Sequence, residues 1–423
     1  MNIIYNIAVN TMHGALKAYS HMLGKNSRRK FSLFVKGQQG IKGHVRRSMK
    51  DRPDKPTVWI HAASLGEYAV ARPIIAKLKR DGDCTIVLTF FSPSGYRALE
   101  HNHPGVDYLF YLPLDTKRNV RAFLNAVQPD KAVFLISEYW PNYLQELKFR
   151  AIPTYLVSAI IRDDAPFFKW YGRIYRKSLS SYTHTYVLDE RSKFNMLMLG
   201  VDNVTISGNP LFDNAETVAS TPWHNDIIHN FCNDRKVFIA GSISDDKDLE
   251  LVSTLANRHP DTRFLFVPHD IKPNNLRAIK ESVNGKALLY SECSADTDFT
   301  GTQVLIVDFV GALAYMYRYA TWAYVGGGFT PLLHSLIEAT VYGIPVSFGP
   351  QIHRKVTPRQ MIDLGIGQIV RNADDLDRWF TSLKDNTPRL EEIREISKKY
   401  VHSNIGATEE IVKAIETGLW AND

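Results

Sequence analysis

Cysteine is scarce in this chain of 423 residues. Cys84, Cys232 and Cys293 stand at spacings that match no metal site, and three thiols cannot all pair. That excludes a disulfide framework and suits a reducing compartment. No apolar run is long enough to span a bilayer, and no cleavable signal peptide is expected. No short fixed period recurs, which excludes a solenoid. Neither half carries G-x-G-x-x-G after its first strand, which argues against a dinucleotide oxidoreductase. Acidic residues are missing from the first 50 positions, which hold ten Lys or Arg. The whole chain carries +7, so the remainder sits at −3. A slightly acidic body makes a nucleic-acid partner unlikely, and a basic arm suits an anionic membrane surface better.

What is present is a soluble composition, 44% hydrophobic and 22% charged, in a chain long enough for two domains. Residues 1–24 predict a two-faced helix. Asn2, Asn6, Asn10, His13, Lys17 and His21 line one side, and Tyr5, Ala8, Met12, Leu16, Tyr19 and Leu23 another. Such a helix can pack on a domain or lie in a bilayer interface. Arg28, Arg29 and Lys30 behind it favour the interface.

From Val58 onward strands alternate with helices. Strands are expected at Val58–His61, Thr85–Thr89, Tyr108–Tyr111, Ala132–Ile136, Thr154–Val157, Thr185–Val187 and Val204–Ser207. A second set is expected at Val237–Ala240, Arg263–Val267, Lys286–Leu289, Val304–Ile306, Ala323–Val325 and Pro345–Phe348. Alternation of this kind implies parallel strands and two doubly wound Rossmann-like domains. The expected organisation is a basic membrane-surface arm (1–50), a first domain (51–213), a linker (214–235), a second domain (236–390) and a helical tail (391–423). Two such domains facing across a cleft would make an α/β, GT-B arrangement.

The chain is organised around His61-Ala62-Ala63-Ser64-Leu65-Gly66-Glu67, read as the end of a strand, a tight turn at Gly66 and a helix start. Loops at the carboxyl ends of parallel strands are where open sheets bind ligands. Glu67 there either caps the helix or faces a ligand. In the second half, Gly326-Gly327-Gly328 follows a strand, and Pro331 is expected to open a helix through His334, Ser335 and Glu338. Glycines and a helix N-terminus together can cradle a phosphate. His334 and Glu338 would share a helix face. Glu338 could accept from ribose hydroxyls, although on the residues alone it reads as a surface charge.

Taken together these stretches resemble the bacterial Kdo transferases, which move 3-deoxy-D-manno-octulosonate (Kdo) from its CMP-activated form onto a lipid A precursor. The resemblance rests on the Ser64-Leu65-Gly66-Glu67 turn, Thr89-Phe90-Phe91-Ser92-Pro93-Ser94-Gly95-Tyr96, Pro113-Leu114-Asp115-Thr116 and Glu138-Tyr139-Trp140-Pro141-Asn142. It continues through Gly208-Asn209-Pro210-Leu211-Phe212-Asp213, Ala240-Gly241-Ser242, the triple glycine, His334 to Glu338 and Tyr342 to Pro350. It implies a GT-B fold, an inverting transfer and a membrane-bound place on the cytoplasmic face of the inner membrane; separately, no Cys or His cluster has ligand spacing and no Asp-x-Asp stands near the glycine turn, so no metal or cofactor is expected. Glu67 matches the family's catalytic glutamate. Ser64, Arg72, Glu138 and Asn142 fall on the acceptor side. Ser242, His269, Gly327, Gly328, His334, Ser335 and Glu338 fall where the family holds the nucleotide sugar. The implied partners are CMP-Kdo, a lipid A precursor of the lipid IVA type and the anionic inner-membrane surface, with no nucleic acid. The chain departs from the family pattern at Gln38, Leu211 and Ala312. Two other readings remain open: a GT-B enzyme using a UDP-sugar and another lipid acceptor, and a non-catalytic membrane-peripheral scaffold.

Overall fold

The computed structural model describes residues 2–22, 30–232, 235–352 and 355–417. Arg28 and Arg29 of the basic cluster lie outside them, as does Trp420 of the tail. The chain divides into two compact units, residues 1–213 with 405–423, and residues 214–404.

The first unit is built on seven parallel strands: β1 (Thr57–Ala62), β2 (Thr85–Phe90), β3 (Tyr108–Tyr111), β4 (Lys131–Leu135), β5 (Thr154–Ala159), β6 (His184–Val187) and β7 (Val204–Ile206), in the order β3-β2-β1-β4-β5-β6-β7. β1 is buried along its whole length. Its alternate residues serve two cores: Trp59 packs on one face of the sheet with Phe123, Phe134 and Tyr143, while Val58 and Ile60 pack on the other with Ile74 and Leu78. The strand order reverses between β1 and β4, and at such a point adjacent crossover helices diverge to open a crevice beyond the strand ends.

The second unit repeats the plan with β8 (Val237–Ile243), β9 (Arg263–Pro268), β10 (Lys286–Leu289), β11 (Thr302–Ile306), β12 (Trp322–Val325), β13 (Val346–Phe348) and β14 (Gly367–Ile369), in the order β10-β11-β9-β8-β12-β13-β14. β8 and β12 are neighbours at its reversal.

Several details differ from the sequence reading. β14 was not expected, because Gly367-Gln368-Ile369 offers too short an apolar signal. The stretch read as linker holds the helix Asp226–Cys232 and the end of the helix Pro210–Ser220. The tail splits: the helix Thr387–His402 belongs to the second unit, whereas Ala407–Glu416 returns to the first. There Ala407, Ile411, Val412 and Ile415 complete the core under the helix Leu65–Asp81. Asp213 clamps that return, accepting from the Gly406 N–H at 2.6 Å, the Thr408 N–H at 2.7 Å and the Thr408 hydroxyl at 2.6 Å.

The N-terminal helix, Asn2–Met22, packs on the first unit through part of its surface. Tyr5 donates to Asp115 Oδ2 at 2.7 Å, Asn6 Oδ1 accepts from Asn142 Nδ2 at 2.9 Å, and Val9 is buried. Ile7 and Met12 are left exposed. Gln38, one of the departures from the family pattern, bridges the same region. Its amide donates to the Leu112 carbonyl at 2.9 Å and accepts from the Leu114 N–H at 3.2 Å. Among the described residues no helix is long and apolar enough to cross a membrane.

Candidate active site

The helix after β1 begins at Leu65, with Ser64 as N-cap and Glu67 as the third residue of a capping box. Gly66 is therefore the second residue of the helix and not part of a turn. A Cβ there would meet only the Ser64 hydroxyl, at 3.9 Å, so neither the backbone nor the space demands glycine. Glu67 Oε2 accepts from the backbone N–H groups of Ser64, at 3.3 Å, and of Ala63. The capping role and the ligand-edge position thus coexist in one carboxyl group.

What sets this carboxyl apart from an ordinary cap is its surroundings. Burial, together with the neighbouring Glu138, pushes its pKa up to about 8, against the pull of the two backbone N–H groups. Glu138 follows β4, the strand beside β1 at the reversal, and is buried. Its Oε2 accepts from the Trp140 indole N–H and lies 3.3 Å from His61 Nε2. That contact has an ion-pair distance without hydrogen-bond alignment. His61 is wholly buried near the end of β1, a polar side chain in a strand whose other residues, Thr57 apart, are apolar. Its Nδ1 lies 3.1 Å from the Thr89 carbonyl and 2.9 Å from the Thr89 hydroxyl. A carbonyl oxygen only accepts, which assigns a proton to Nδ1. Thr89 is fixed in turn by the Trp59 indole N–H at 2.9 Å. His61, Thr89 and Trp140 had no assigned role in the sequence reading. The available signal was a histidine inside a strand that otherwise reads as core.

The other expected acceptor-side residues are placed unequally. Arg72 is exposed on the helix that begins at Leu65, near Tyr68. The Asn142 amide is engaged in structure, donating to the Asp115 carbonyl and to Asn6. Asp115 is the hub beside it. Its carboxylate accepts from Tyr5, from the Asn142 N–H at 3.1 Å and from the Tyr143 N–H at 3.0 Å. Burial raises its pKa to about 7 despite these three donors.

In the second unit Ser242, the glycine turn, His334 and His269 lie together near the β8–β12 reversal. Ser242 takes a left-handed φ of 55°, and Gly327 one of 81°. A Cβ on Gly326 would fall 2.2 Å from the Ser242 carbonyl oxygen, and one on Gly328 2.5 Å from Gly349 N. These glycines are required by close backbone packing. The expected helix from Pro331 does not form. The chain rolls instead through a turn closed by the Thr330 N–H on Gly327 O, and the His334 N–H returns to Gly326 O at 3.2 Å. Only Ile337–Thr340 is helical, so His334 and Glu338 share no helix face and no long helix terminus stands behind the glycines. The unforeseen organiser is Asp248, wholly buried. It accepts from the Gly327 N–H at 2.8 Å, the Ser244 N–H at 2.9 Å and the Tyr324 hydroxyl at 2.6 Å.

His334 Nε2 lies 3.0 Å from the Ser244 hydroxyl, and its ring is 4.7 Å from that of His269. Burial, with His269 and Lys355 adding, pushes the His334 pKa down to about 4, so its ring is neutral at neutral pH. Ser335 is half-buried beside it. Glu338 is half-buried and acts electrostatically on Tyr317 and Tyr342. It is built into the packing and is no free surface charge.

The family model described as 3-deoxy-D-manno-octulosonic-acid transferase (kdotransferase) matches residues 39–214. The 3-deoxy-D-manno-octulosonic acid transferase of Haemophilus influenzae is 25% identical over 395 residues, covering 88% of this chain and 89% of its own length. That of Rickettsia felis is 25% identical over 367 residues, covering 85% of this chain and 78% of its own. Over most of its length this chain is similar to Kdo transferases, and residues 39–214 match their family model. It is a glycosyltransferase. Solved structures with the same fold include the UDP-GlcNAc 2-epimerase of Neisseria meningitidis (TM-score 0.61, 16% identity, 85% of this chain and 100% of that one). MurG of Acinetobacter baumannii also matches (TM-score 0.53, 12% identity, 86% and 99%). The two seven-stranded parallel sheets are thus those of the GT-B class.

Proposed function

We propose that this enzyme transfers Kdo from CMP-Kdo to a hydroxyl of a lipid A precursor, with inversion, and that Glu67 is the base. The observation that carries the reading is the pair of half-buried Glu67 and buried Glu138 at the strand reversal, with His61 against Glu138. An attacking sugar hydroxyl must lose its proton as the new bond forms, and a carboxyl group with a pKa near 8 is well matched to that task. Accepting the proton also relieves the repulsion between the two carboxylates. Gly66 is exposed and has no side chain, which leaves the approach to Glu67 open. In the second unit the Ser242, Ser244 and His334 groups and the glycine turn offer neutral donors around a place for a phosphate. CMP is a good leaving group and needs only that its charge be stabilised.

The membrane surface is part of the same proposal. The N-terminal helix spends Tyr5, Asn6 and Val9 on the domain and leaves Ile7 and Met12 exposed, an arrangement suited to a helix in the bilayer interface. Residues 36–50 supply Lys36, Lys42, Arg46, Arg47 and Lys50 for anionic head groups. The test is CMP release from CMP-Kdo with and without a lipid A precursor. Acceptor-dependent release supports the reading. Acceptor-dependent release of UDP from a UDP-sugar, with none of CMP from CMP-Kdo, would replace it with the rival transferase.

A further inference from the structure

Beyond the N-terminal arm, the first unit carries a second apolar surface. After β5 the chain runs through two short 3-10 turns, Pro166–Phe168 and Trp170–Gly172, before the helix Arg173–Leu179. Trp170 is 91% exposed, Tyr171 49% and Phe168 38%. Three adjacent aromatics in water are unusual for a surface loop with no partner. They are not loosely held. Phe167 points inward and packs edge-on against Tyr139 at 4.7 Å, and the Gly172 N–H donates to the Lys169 carbonyl at 2.9 Å. The Arg176 guanidinium donates to the carbonyls of Phe167 and Lys169. A Cβ on Gly172 would fall 2.0 Å from the Pro166 carbonyl oxygen, so the tight crossing requires glycine. The loop is folded so as to present its aromatics outward.

Charge points to the occupant. Between Ala165 and Leu188 the chain has Lys169, Arg173, Arg176 and Lys177 and no Asp or Glu. Lys169, Arg173 and Lys177 are exposed around the aromatics. Trp and Tyr flanked by cations suit the headgroup level of an anionic bilayer, where a ring can be half in hydrocarbon and a Lys or Arg can reach phosphate. We propose that Phe168, Trp170 and Tyr171 insert into the headgroup–acyl boundary of an anionic phospholipid membrane, as a contact additional to the N-terminal helix. The two elements adjoin, since Tyr175 of the helix behind the loop acts electrostatically on Tyr5. Tyr139, which backs the loop, is the residue after Glu138. Insertion would therefore hold the carboxyl pair close to the membrane surface from which a lipid acceptor is drawn. The inference is independent of the donor identity.

The experiment uses the full chain, with vesicles of phosphatidylcholine alone and of phosphatidylcholine mixed with phosphatidylglycerol. In a second set both lipids carry brominated acyl chains, which quench indole fluorescence only on close approach. Quenching on anionic vesicles is expected for the wild type and is expected to be largely lost in Trp170→Phe. The double variant Phe168→Ser, Trp170→Ser should bind anionic vesicles about tenfold or more weakly, with an unchanged melting temperature because both side chains are exposed. It should release CMP normally with a detergent-dispersed acceptor, which separates failure of this inference from failure of the transferase reading. Equal quenching in Trp170→Phe, or unaltered vesicle binding by the double variant, would overturn the proposal. So would a change in oligomeric state with vesicle binding intact, which would assign the loop to a protein contact.

Discussion

Replacing Glu138 by Gln removes one negative charge from beside Glu67 and leaves its burial intact. Glu67 stands at about 8 against an ordinary 4.5, a rise in which burial is the larger cause and Glu138 the second. At pH 7 a group at that value is only about one-tenth ionised, so the rate should climb about tenfold per unit of pH below 8 and then level. In Glu138→Gln the midpoint of that rise should move down by about one unit, since burial alone still holds it above the free value. The plateau is a separate quantity and can fall if Glu138 also touches the acceptor. The assay is kcat/KM for CMP release between pH 5.5 and 9.5 at constant ionic strength, on wild type and variant. The group facing Glu138 from β1 is His61, at 3.3 Å. His61 stays in place in the variant, so the lost Glu138 charge is the change that Glu67 senses. An unmoved or raised midpoint would therefore refute the argument that a like charge tunes Glu67.

Further outcomes follow from other contacts. Glu67→Gln keeps an oxygen for the Ala63 and Ser64 N–H groups but cannot take a proton, so transfer should fall by about two to four orders of magnitude. The folded Glu67 value lies above the unfolded 4.5, so the folded state holds an extra proton between about 4.5 and 8 and wild-type stability declines as pH rises through that window. Glu67→Gln should escape this decline, with a melting temperature at pH 8.5 equal to or above the wild type. Asp248→Ala strands the Gly327 and Ser244 N–H groups and the Tyr324 hydroxyl. It should cost about 3 kcal/mol in denaturant unfolding and abolish CMP binding in calorimetry, while Asp248→Asn should restore part of both. Asp213→Ala frees the returning C-terminal segment. A loss of about 2 kcal/mol, with faster hydrogen exchange over residues 406–416, is the expected result.

The sheets were legible because each inner strand is a short apolar run between turn residues, and alternation with helices fixes parallel pairing. Glu67 was legible because a carboxylate after a buried strand stands out. Its environment was not, since His61 and Glu138 are brought together only by the β1–β4 pairing. Asp248 was invisible for the same reason: its partner Gly327 is 79 residues away. The helix expected from Pro331 failed because the glycine turn takes up the His334 N–H, which leaves only a four-residue helix at Ile337–Thr340. The N-terminal helix forms, but the surface that meets the domain takes Tyr5 from one expected side and Asn6 from the other, because Asp115 and Asn142 are polar partners that helical periodicity does not report.

The central claim is that this chain moves Kdo onto a lipid A precursor with Glu67 as base. The most direct measurement is the mass of the lipid after incubation with CMP-Kdo, for the wild type and for a Glu67→Gln variant whose melting temperature shows it folded. The account predicts lipid heavier by one or more Kdo residues with the wild type, and almost none with the variant at equal time. Unmodified lipid with the wild type, or a variant that still transfers at more than about a tenth of the wild-type rate, would contradict it.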